Sequence, residues 1–129
     1  MRKQGKLVDN GVTLKPHENL TVDFLLKLGH NIELIPKLNI EGVHTPDVKM
    51  DGKYDWEMKS PRGKGRWLMN NTIRNAKKQS ENIIIDLRRA KLNQGQCIKD
   101  LQILFMKTKS IKRMIIITKS KNILTWEKK

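Results

Sequence analysis

The stretch that decides the fold is Val48-Lys49-Met50-Asp51-Gly52-Lys53-Tyr54-Asp55-Trp56-Glu57-Met58-Lys59. Apolar and polar side chains alternate on both sides of Asp51-Gly52, which is the period of a β-strand with one buried face. Asp-Gly is a preferred pair for a two-residue hairpin turn, because that turn needs positive φ angles at both positions. The stretch therefore predicts a β-hairpin over residues 48–59.

The flanking sequence predicts further helices and strands around this hairpin. Apolar residues at helical spacing indicate helices over residues 14–28, 71–79 and 93–107, and apolar or alternating runs indicate strands over 32–35, 82–87, 113–118 and 123–127. The order is α-β-β-β-α-β followed by α-β-β, which predicts a single α/β or α+β domain with a mixed sheet flanked by helices. We assign residues 14–129 to this domain and expect residues 1–13 to form a mobile arm or a short hairpin.

The charge of the chain indicates its partner. Twenty-seven Lys and Arg residues against thirteen Asp and Glu give a formal net charge of +14 in 129 residues. A domain this basic favours nucleic acid or an anionic membrane. We expect no membrane span and no secretory signal, because no apolar stretch is long enough and the first residues are polar. Cys97 has no cysteine partner and is expected to be a small buried residue.

Two carboxylates and a lysine are expected to converge at the open end of the hairpin. Side chains two residues apart on a strand share a face, so Glu57 and Lys59 lie together, and the turn brings Asp47 towards them. Carboxylate oxygens are the ligands that Mg²⁺ prefers. Lys59 could position a water or stabilise charge on a phosphate. The alternative is that all three are ordinary solvated charges.

The pattern Pro46-Asp47, nine residues, then Glu57-x-Lys59 resembles the motif of the PD-(D/E)XK phosphodiesterase superfamily. The core order of that superfamily, α-β-β-β-α-β, also matches residues 14–87. The resemblance implies that Asp47, Glu57 and Glu18 hold a divalent metal, most simply Mg²⁺. It makes His17 a candidate phosphate contact or proton carrier, although a lone His before a helix is more often structural.

Residues from His17 to Ile117 also resemble the C-terminal nuclease domain of contact-dependent growth inhibition toxins and related mobile-element toxins. The residues that carry this resemblance are His17-Glu18, Thr45-Pro46-Asp47, Asp51-Gly52, Trp56-Glu57-Met58-Lys59-Ser60-Pro61, Thr72-Ile73-Arg74, Ala76, Gln79-Ser80 and Asn82-Ile83-Ile84-Ile85-Asp86-Leu87-Arg88. It implies an RNase, commonly one that cleaves tRNA, and a small, often acidic immunity protein as partner. It also implies action in the cytoplasm after delivery as the C-terminal part of a larger secreted toxin.

Metal-independent chemistry stays open at this point. Toxin RNases of the barnase–EndoU–colicin–RelE-like group abstract the 2′-hydroxyl proton and leave a 2′,3′-cyclic phosphate. His17, Glu57, Lys59 and Arg74 could serve such acid–base catalysis. The pairing of Asp47 with Glu57 favours a metal.

The loop after the hairpin is the predicted substrate-binding segment. Its cations can neutralise phosphates and its indole can stack on a base; the residues are Arg62, Lys64, Arg66 and Trp67. Arg74, Lys78 and Gln79 on the next helix would extend this surface. The alternative is a solvated loop with Trp67 in the core. We expect Arg88 and Arg89 to contribute general positive charge or to lie on solvated faces.

Three classes of function fit these features. The first is a toxin-type endoribonuclease, the second a PD-(D/E)XK DNA endonuclease, and the third a non-catalytic nucleic-acid-binding module. A pure binder gains nothing from carboxylates near a phosphate, because they repel it. The sequence therefore favours an endonuclease, and RNA is favoured over DNA only by the family resemblance.

Overall fold

The computed structural model describes residues 3–129. Within these residues the chain forms one mixed seven-stranded sheet, in which the strands stand in their chain order. The strands are β1 (Leu7–Val8), β2 (Ile32–Leu34), β3 (Val48–Met50), β4 (Tyr54–Lys59), β5 (Asn82–Asp86), β6 (Arg113–Ile117) and β7 (Ile123–Glu127). The helices are α1 (Pro16–Lys27), α2 (Leu68–Ala76) and α3 (Gln94–Lys107), and a short 3₁₀ helix covers Leu87–Arg89. This single α+β domain confirms the predicted fold class.

The predicted hairpin is formed by β3 and β4. The turn is one residue longer than predicted, because Met50 pairs with Tyr54 and Asp51, Gly52 and Lys53 lie between them. Asp51 and Gly52 adopt the predicted positive φ angles, 54° and 67°. The Asp51 carboxylate accepts hydrogen bonds of 2.8 Å from the Asn31 amide and from Nδ1 of His30. The turn is thereby tied to the start of β2, which pairs antiparallel with β3.

Two hydrophobic clusters lie on opposite faces of the sheet. One packs α1 against β2, β3 and β4, and the other packs α2 and α3 against β5 and β6. The interior strand β5 is buried throughout; Ile84 faces the first cluster, while Ile83 and Ile85 face the second. Full burial of each such side chain contributes about 1.5–3 kcal/mol. The predicted buried strand therefore contributes to both cores.

The helix α2 lies three residues earlier than predicted. It spans Leu68–Ala76 rather than 71–79. Its buried positions begin at Met69, directly after the basic loop, and this apolar start sets the helical face that packs on the sheet. Lys77, Lys78 and Gln79 therefore lie at or beyond the helix end. None of the helices within residues 3–129 is long and apolar enough to cross a membrane.

The N-terminal segment joins the sheet rather than forming a hairpin. Leu7–Val8 pairs in parallel with the start of β2, and the Gly5 amide donates a hydrogen bond of 2.8 Å to the Leu26 carbonyl. A Cβ atom at Gly5 would lie 1.7 Å from the His30 carbonyl oxygen, so this approach requires glycine. Residues 1–2 of the predicted arm lie outside the described residues.

Candidate active site

Two carboxylates lie side by side where β3 and β4 meet. Asp47 precedes β3, and its amide donates a hydrogen bond of 3.0 Å to the Trp56 carbonyl. Its Oδ2 accepts a hydrogen bond of 2.8 Å from the Met58 amide. Because Val48 pairs with Trp56, Asp47 stands opposite Glu57 on the same face of the sheet. The two side chains are only 8% and 5% exposed, so the expected convergence takes place in a buried setting.

The environment of Glu57 favours its protonated form. Burial and the neighbouring Asp47 carboxylate raise the pKa of Glu57 from 4.5 to about 8, and the ammonium groups of Lys59 and Lys37 offset this only in part. Oε1 of Glu57 is buried and accepts no hydrogen bond from any donor within residues 3–129. An unpaired buried carboxylate oxygen is costly until a proton or a cation reaches it. The pair therefore holds a proton at neutral pH that a cation could displace.

Two lysines flank the carboxylate pair. Nζ of Lys59 lies 3.3 Å from Oε2 of Glu57, as expected for residues that share a strand face. Nζ of Lys37 lies 2.7 Å from Oδ1 of Asp47 and donates a hydrogen bond to the Thr45 carbonyl. Lys37 was not predicted from the sequence to be a site residue. Its position follows from the pairing of β2 with β3, because the chain after β2 runs beside the residues that precede β3.

The carboxylate pair opens into a cleft of about 330 Å³ between the start of α1, the end of β4 and α2. The five predicted catalytic residues all line it, and they are His17, Glu18, Asp47, Glu57 and Lys59. Glu18 is held at the rim, because its Oε1 accepts a hydrogen bond of 2.9 Å from the Lys15 amide and so caps α1. The structure thus gathers the predicted set in one place.

Four neutral polar side chains also line the cleft, and none of them was predicted to be a site residue. Ser60 lies just after β4, while Asn71, Thr72 and Asn75 come from α2. Asn71 and Thr72 lie four and three residues before Asn75, so the three side chains share one face of the helix. This spacing could have identified them from the sequence.

The predicted substrate-binding loop lies beside the cleft rather than in its wall. Arg62, Lys64 and Arg66 are exposed between β4 and α2. Arg66 and Trp67 line a second, more apolar cavity of about 440 Å³ between α2 and α3, and the Arg66 guanidinium lies 4.7 Å from the centre of the Trp67 ring. Trp67 is 57% exposed, so the alternative that it is buried in the core is wrong.

The other three predicted contacts also lie outside the cleft wall. Arg74 is exposed on α2 and donates a hydrogen bond of 2.8 Å to Oδ1 of Asn71. Lys78 and Gln79 follow the end of α2, with Lys78 exposed and Gln79 half-buried. Their contact with a substrate stays a prediction.

A further buried carboxylate, Asp86, ends β5 and is 3% exposed. It accepts hydrogen bonds of 2.7 Å from Thr21 and of 2.7–3.2 Å from the Arg88 guanidinium. Burial alone would raise the pKa of Asp86, but these hydrogen bonds outweigh it and hold the pKa below its ordinary value. Arg88 is therefore held in an ion pair with a buried carboxylate, and the expectation that it contributes general positive charge or lies on a solvated face is wrong.

The donor set at the cleft fits a divalent cation with few protein ligands. Within residues 3–129 no three or more His, Cys, Asp or Glu side chains are arranged to hold a metal ion. Glu18 caps α1, which leaves Asp47 and Glu57 as the adjacent pair. Mg²⁺ is commonly held by one or two carboxylates and keeps several waters. The unpaired Oε1 of Glu57 is a suitable ligand atom for such an ion.

Comparison with known proteins places the chain in a family. The family model of the contact-dependent growth inhibition CdiA C-terminal domain matches residues 44–123. The chain belongs to this family. The resemblance to contact-dependent growth inhibition toxin domains is thereby confirmed, whereas the PD-(D/E)XK motif stays a prediction. No curated protein matches the chain.

A solved structure supports the same fold. The chain is similar to one in the CdiA-CT/CdiI toxin and immunity complex from Burkholderia pseudomallei, with a TM-score of 0.70 and 19% sequence identity. The match covers 96% of this chain and 100% of that chain. At this level of identity the likeness establishes the fold of the CdiA C-terminal domain and nothing about individual side chains.

Proposed function

We propose that this CdiA C-terminal domain is an endonuclease that cleaves RNA phosphodiester bonds, with tRNA as its main substrate and Mg²⁺ as its metal. The observation that carries the proposal is the buried pair of Asp47 and Glu57, which faces an open cleft in a chain of net charge +14. Nucleic acid is the polyanion that such a charge attracts. Carboxylates in the same cleft would repel a phosphate, so a nucleic-acid-binding site gains nothing from them unless they take part in catalysis.

The roles of the side chains follow from their positions. Asp47 and Glu57 would hold a divalent cation, which when bound polarises a phosphoryl oxygen and lowers the pKa of a bound water. Lys59 supplies positive charge where negative charge develops on the phosphate. Lys37 fixes Asp47 through its 2.7 Å contact. His17, at the rim, contacts the phosphate or carries a proton.

The preference for RNA rests on the family, whose domains generally act as nuclease toxins. The exposed Trp67, stacked with Arg66, suits an unpaired base, and single-stranded RNA loops present such bases. The loops of tRNA present unpaired bases of this kind on a compact polyanion. A DNA endonuclease of the PD-(D/E)XK kind would use the same carboxylates and is separated from the RNase by substrate alone.

One observation favours a metal-independent alternative. The pKa of Glu57, raised to about 8, is close to neutral pH, which is the range in which a carboxyl group can both accept and donate a proton during catalysis. In that reaction the deprotonated form of Glu57 takes the proton of the 2′-hydroxyl, and the 2′-oxygen attacks the phosphorus to form the 2′,3′-cyclic phosphate. The bond from phosphorus to the 5′-oxygen breaks, and that oxygen leaves with a proton from His17 while Lys59 stabilises the charge on the phosphate.

The partner we propose is a small acidic immunity protein. The similar chain from Burkholderia pseudomallei is part of a complex of toxin and immunity protein. An acidic partner matches the net charge of +14 and would associate rapidly by electrostatic steering. We further propose that the domain acts in the cytoplasm of a target cell after delivery as the C-terminal part of a larger protein.

A cleavage assay tests the proposal. The protein is incubated with total RNA and with plasmid DNA, in Mg²⁺ and in EDTA, beside Glu57→Gln and Lys59→Met. Exposed-site controls carry the same changes at Glu81 and Lys99. We expect Mg²⁺-dependent cleavage of tRNA that falls by about 100-fold or more in both cleft variants and persists in the controls.

The other outcomes separate the alternatives. Cleavage that survives EDTA and leaves cyclic phosphate ends would replace the metal with acid–base chemistry. Cleavage of plasmid alone would identify a DNA endonuclease. No cleavage of either substrate, or equal cleavage by Glu57→Gln and the wild type, would refute the proposed active site.

A further inference from the structure

A small cavity beside the candidate active site is lined by an arginine whose Nε has no hydrogen-bond partner within the described part of the chain. The cavity has a volume of about 160 Å³ and is lined by His17, Leu20, Ser60, Asp86, Arg88 and Arg89. Nε of Arg89 is buried and has no hydrogen-bond partner within residues 3–129. A buried donor without an acceptor is costly and is rare in native proteins unless a ligand or a water accepts its proton. The cavity therefore calls for an acceptor.

The acid in this cavity cannot be that acceptor. The Asp86 oxygens already accept hydrogen bonds from Arg88 and from Thr21. Arg88 is held in turn by the Leu20 carbonyl, to which it donates at 2.9 Å. The charge of Asp86 is thus matched by Arg88, and no ion pair joins Arg89 to a carboxylate within residues 3–129. An external anion with oxygen acceptors would satisfy it.

The position of the cavity indicates which anion. His17 and Ser60 line both this cavity and the cleft that holds Asp47 and Glu57. We propose that the cavity binds the phosphate group next to the scissile one in the substrate backbone, with Arg89 as its donor. This inference rests on the proposed nuclease function. It makes the cavity a second phosphate-binding subsite of the proposed active site.

A phosphate group fits this site better than other anions. It recurs at every nucleotide, so a strand whose scissile phosphate lies in the cleft carries another phosphate one nucleotide away, and the cavity adjoins the cleft at His17 and Ser60. The guanidinium fork matches phosphate oxygens in geometry and stays charged at all working pH values. Arg88, fixed by Asp86, lines the same cavity as Arg89. The subsite thereby sets the register of the strand across the cleft.

Calorimetry with small nucleotides tests the subsite without any cleavage. The probes are adenosine 3′,5′-bisphosphate, with two phosphates one nucleoside apart, and the adenosine 3′- and 5′-monophosphates. The wild type is expected to bind the bisphosphate about tenfold more tightly than either monophosphate. In Arg89→Met this ratio falls to about one, while Lys99→Met, which removes an exposed charge on α3, keeps it. Arg89→Lys keeps the charge but loses the fork and gives an intermediate ratio.

The opposite results overturn the inference. A ratio of about one in the wild type, or an unchanged ratio in Arg89→Met, excludes a phosphate at Arg89. Should Arg89→Met fail to fold by circular dichroism, an unchanged ratio in Arg89→Lys decides against it. In RNA cleavage we expect Arg89→Met to raise KM about tenfold with kcat nearly unchanged, as for a binding contact.

The calorimetric and cleavage experiments can refute the subsite and the proposed function separately. A preference for the bisphosphate that depends on Arg89, without any RNA cleavage, would refute the proposed function and leave a phosphate-binding site. RNA cleavage with no preference for the bisphosphate would refute only the subsite.

Discussion

Replacement of Glu57 by glutamine is expected to stabilise the fold while it removes activity. The pKa of Glu57 is about 8 in the folded chain and 4.5 when the group is solvated. Between these values the folded state keeps a proton that the unfolded state has lost, so wild-type stability falls as pH rises from about 4.5 to about 8 and then levels off. Glutamine does not titrate, so the unfolding free energy of Glu57→Gln does not show this decline.

The size of the effect follows from the same pKa values. Each pKa unit corresponds to about 1.4 kcal/mol, which sets an upper limit of about 5 kcal/mol for the rise from 4.5 to about 8. Lys59, beside Glu57, is 31% exposed and brings solvent to the pair, so we expect about 2 kcal/mol in practice. Glu57→Gln should therefore match the wild type near pH 5 and exceed its unfolding free energy by about 2 kcal/mol near pH 8.

Urea denaturation at intervals between about pH 5 and about pH 8, in EDTA, measures this difference. Glu81→Gln is the control, because it makes the same change at an exposed carboxylate before β5, and its stability should follow the wild type at every pH. If the free energies of Glu57→Gln and the wild type stay parallel across this range, Glu57 is not the group that keeps the proton. The reasoning about the carboxylate pair would then be refuted.

Three further substitutions have defined outcomes. Asp86→Asn leaves the Arg88 cation without its buried counter-charge, and urea denaturation should show a loss of about 3 kcal/mol; a loss below about 1 kcal/mol would contradict this. Gly5→Ala places a Cβ against a backbone oxygen and should lower the melting temperature, whereas Gly65→Ala enters open space and should not; equal melting temperatures would be evidence against the close approach. Trp67→Ala should weaken RNA binding about tenfold, measured by fluorescence anisotropy, with an unchanged melting temperature; unchanged binding would remove Trp67 from the interface.

Local patterns explain which elements the sequence predicts well. The hairpin of β3 and β4 depends on alternation and on one turn, and both are visible within twelve residues. The strand β1 gives no such signal, because it has two residues and both side chains are exposed. Its pairing depends on the close contact of Gly5 with the chain after α1, which no local pattern reports.

The same distinction applies to the candidate site. Asp47 and Glu57 could be brought together from the sequence because their register is set within one hairpin. Lys37 enters through the pairing of β2 with β3, and Arg89 through the end of β5, so both depend on contacts between separate elements. Arg88 lies only two residues from its partner Asp86, but the pair is held by Leu20 and Thr21 of α1, which bond Arg88 and Asp86 from 68 and 65 residues away in the chain.

The charge balance at the pair explains how acids and a phosphate can share one cleft. With Glu57 protonated, the Asp47 carboxylate faces the two ammonium groups of Lys37 and Lys59, so the immediate surroundings are positive although two acids stand at the centre. A phosphate can therefore approach without repulsion. Exchange of the Glu57 proton for a divalent cation would place both carboxylates as ligands of that cation beside the phosphate. A binding module has no use for this exchange, whereas a nuclease would gain a cation at the reacting bond.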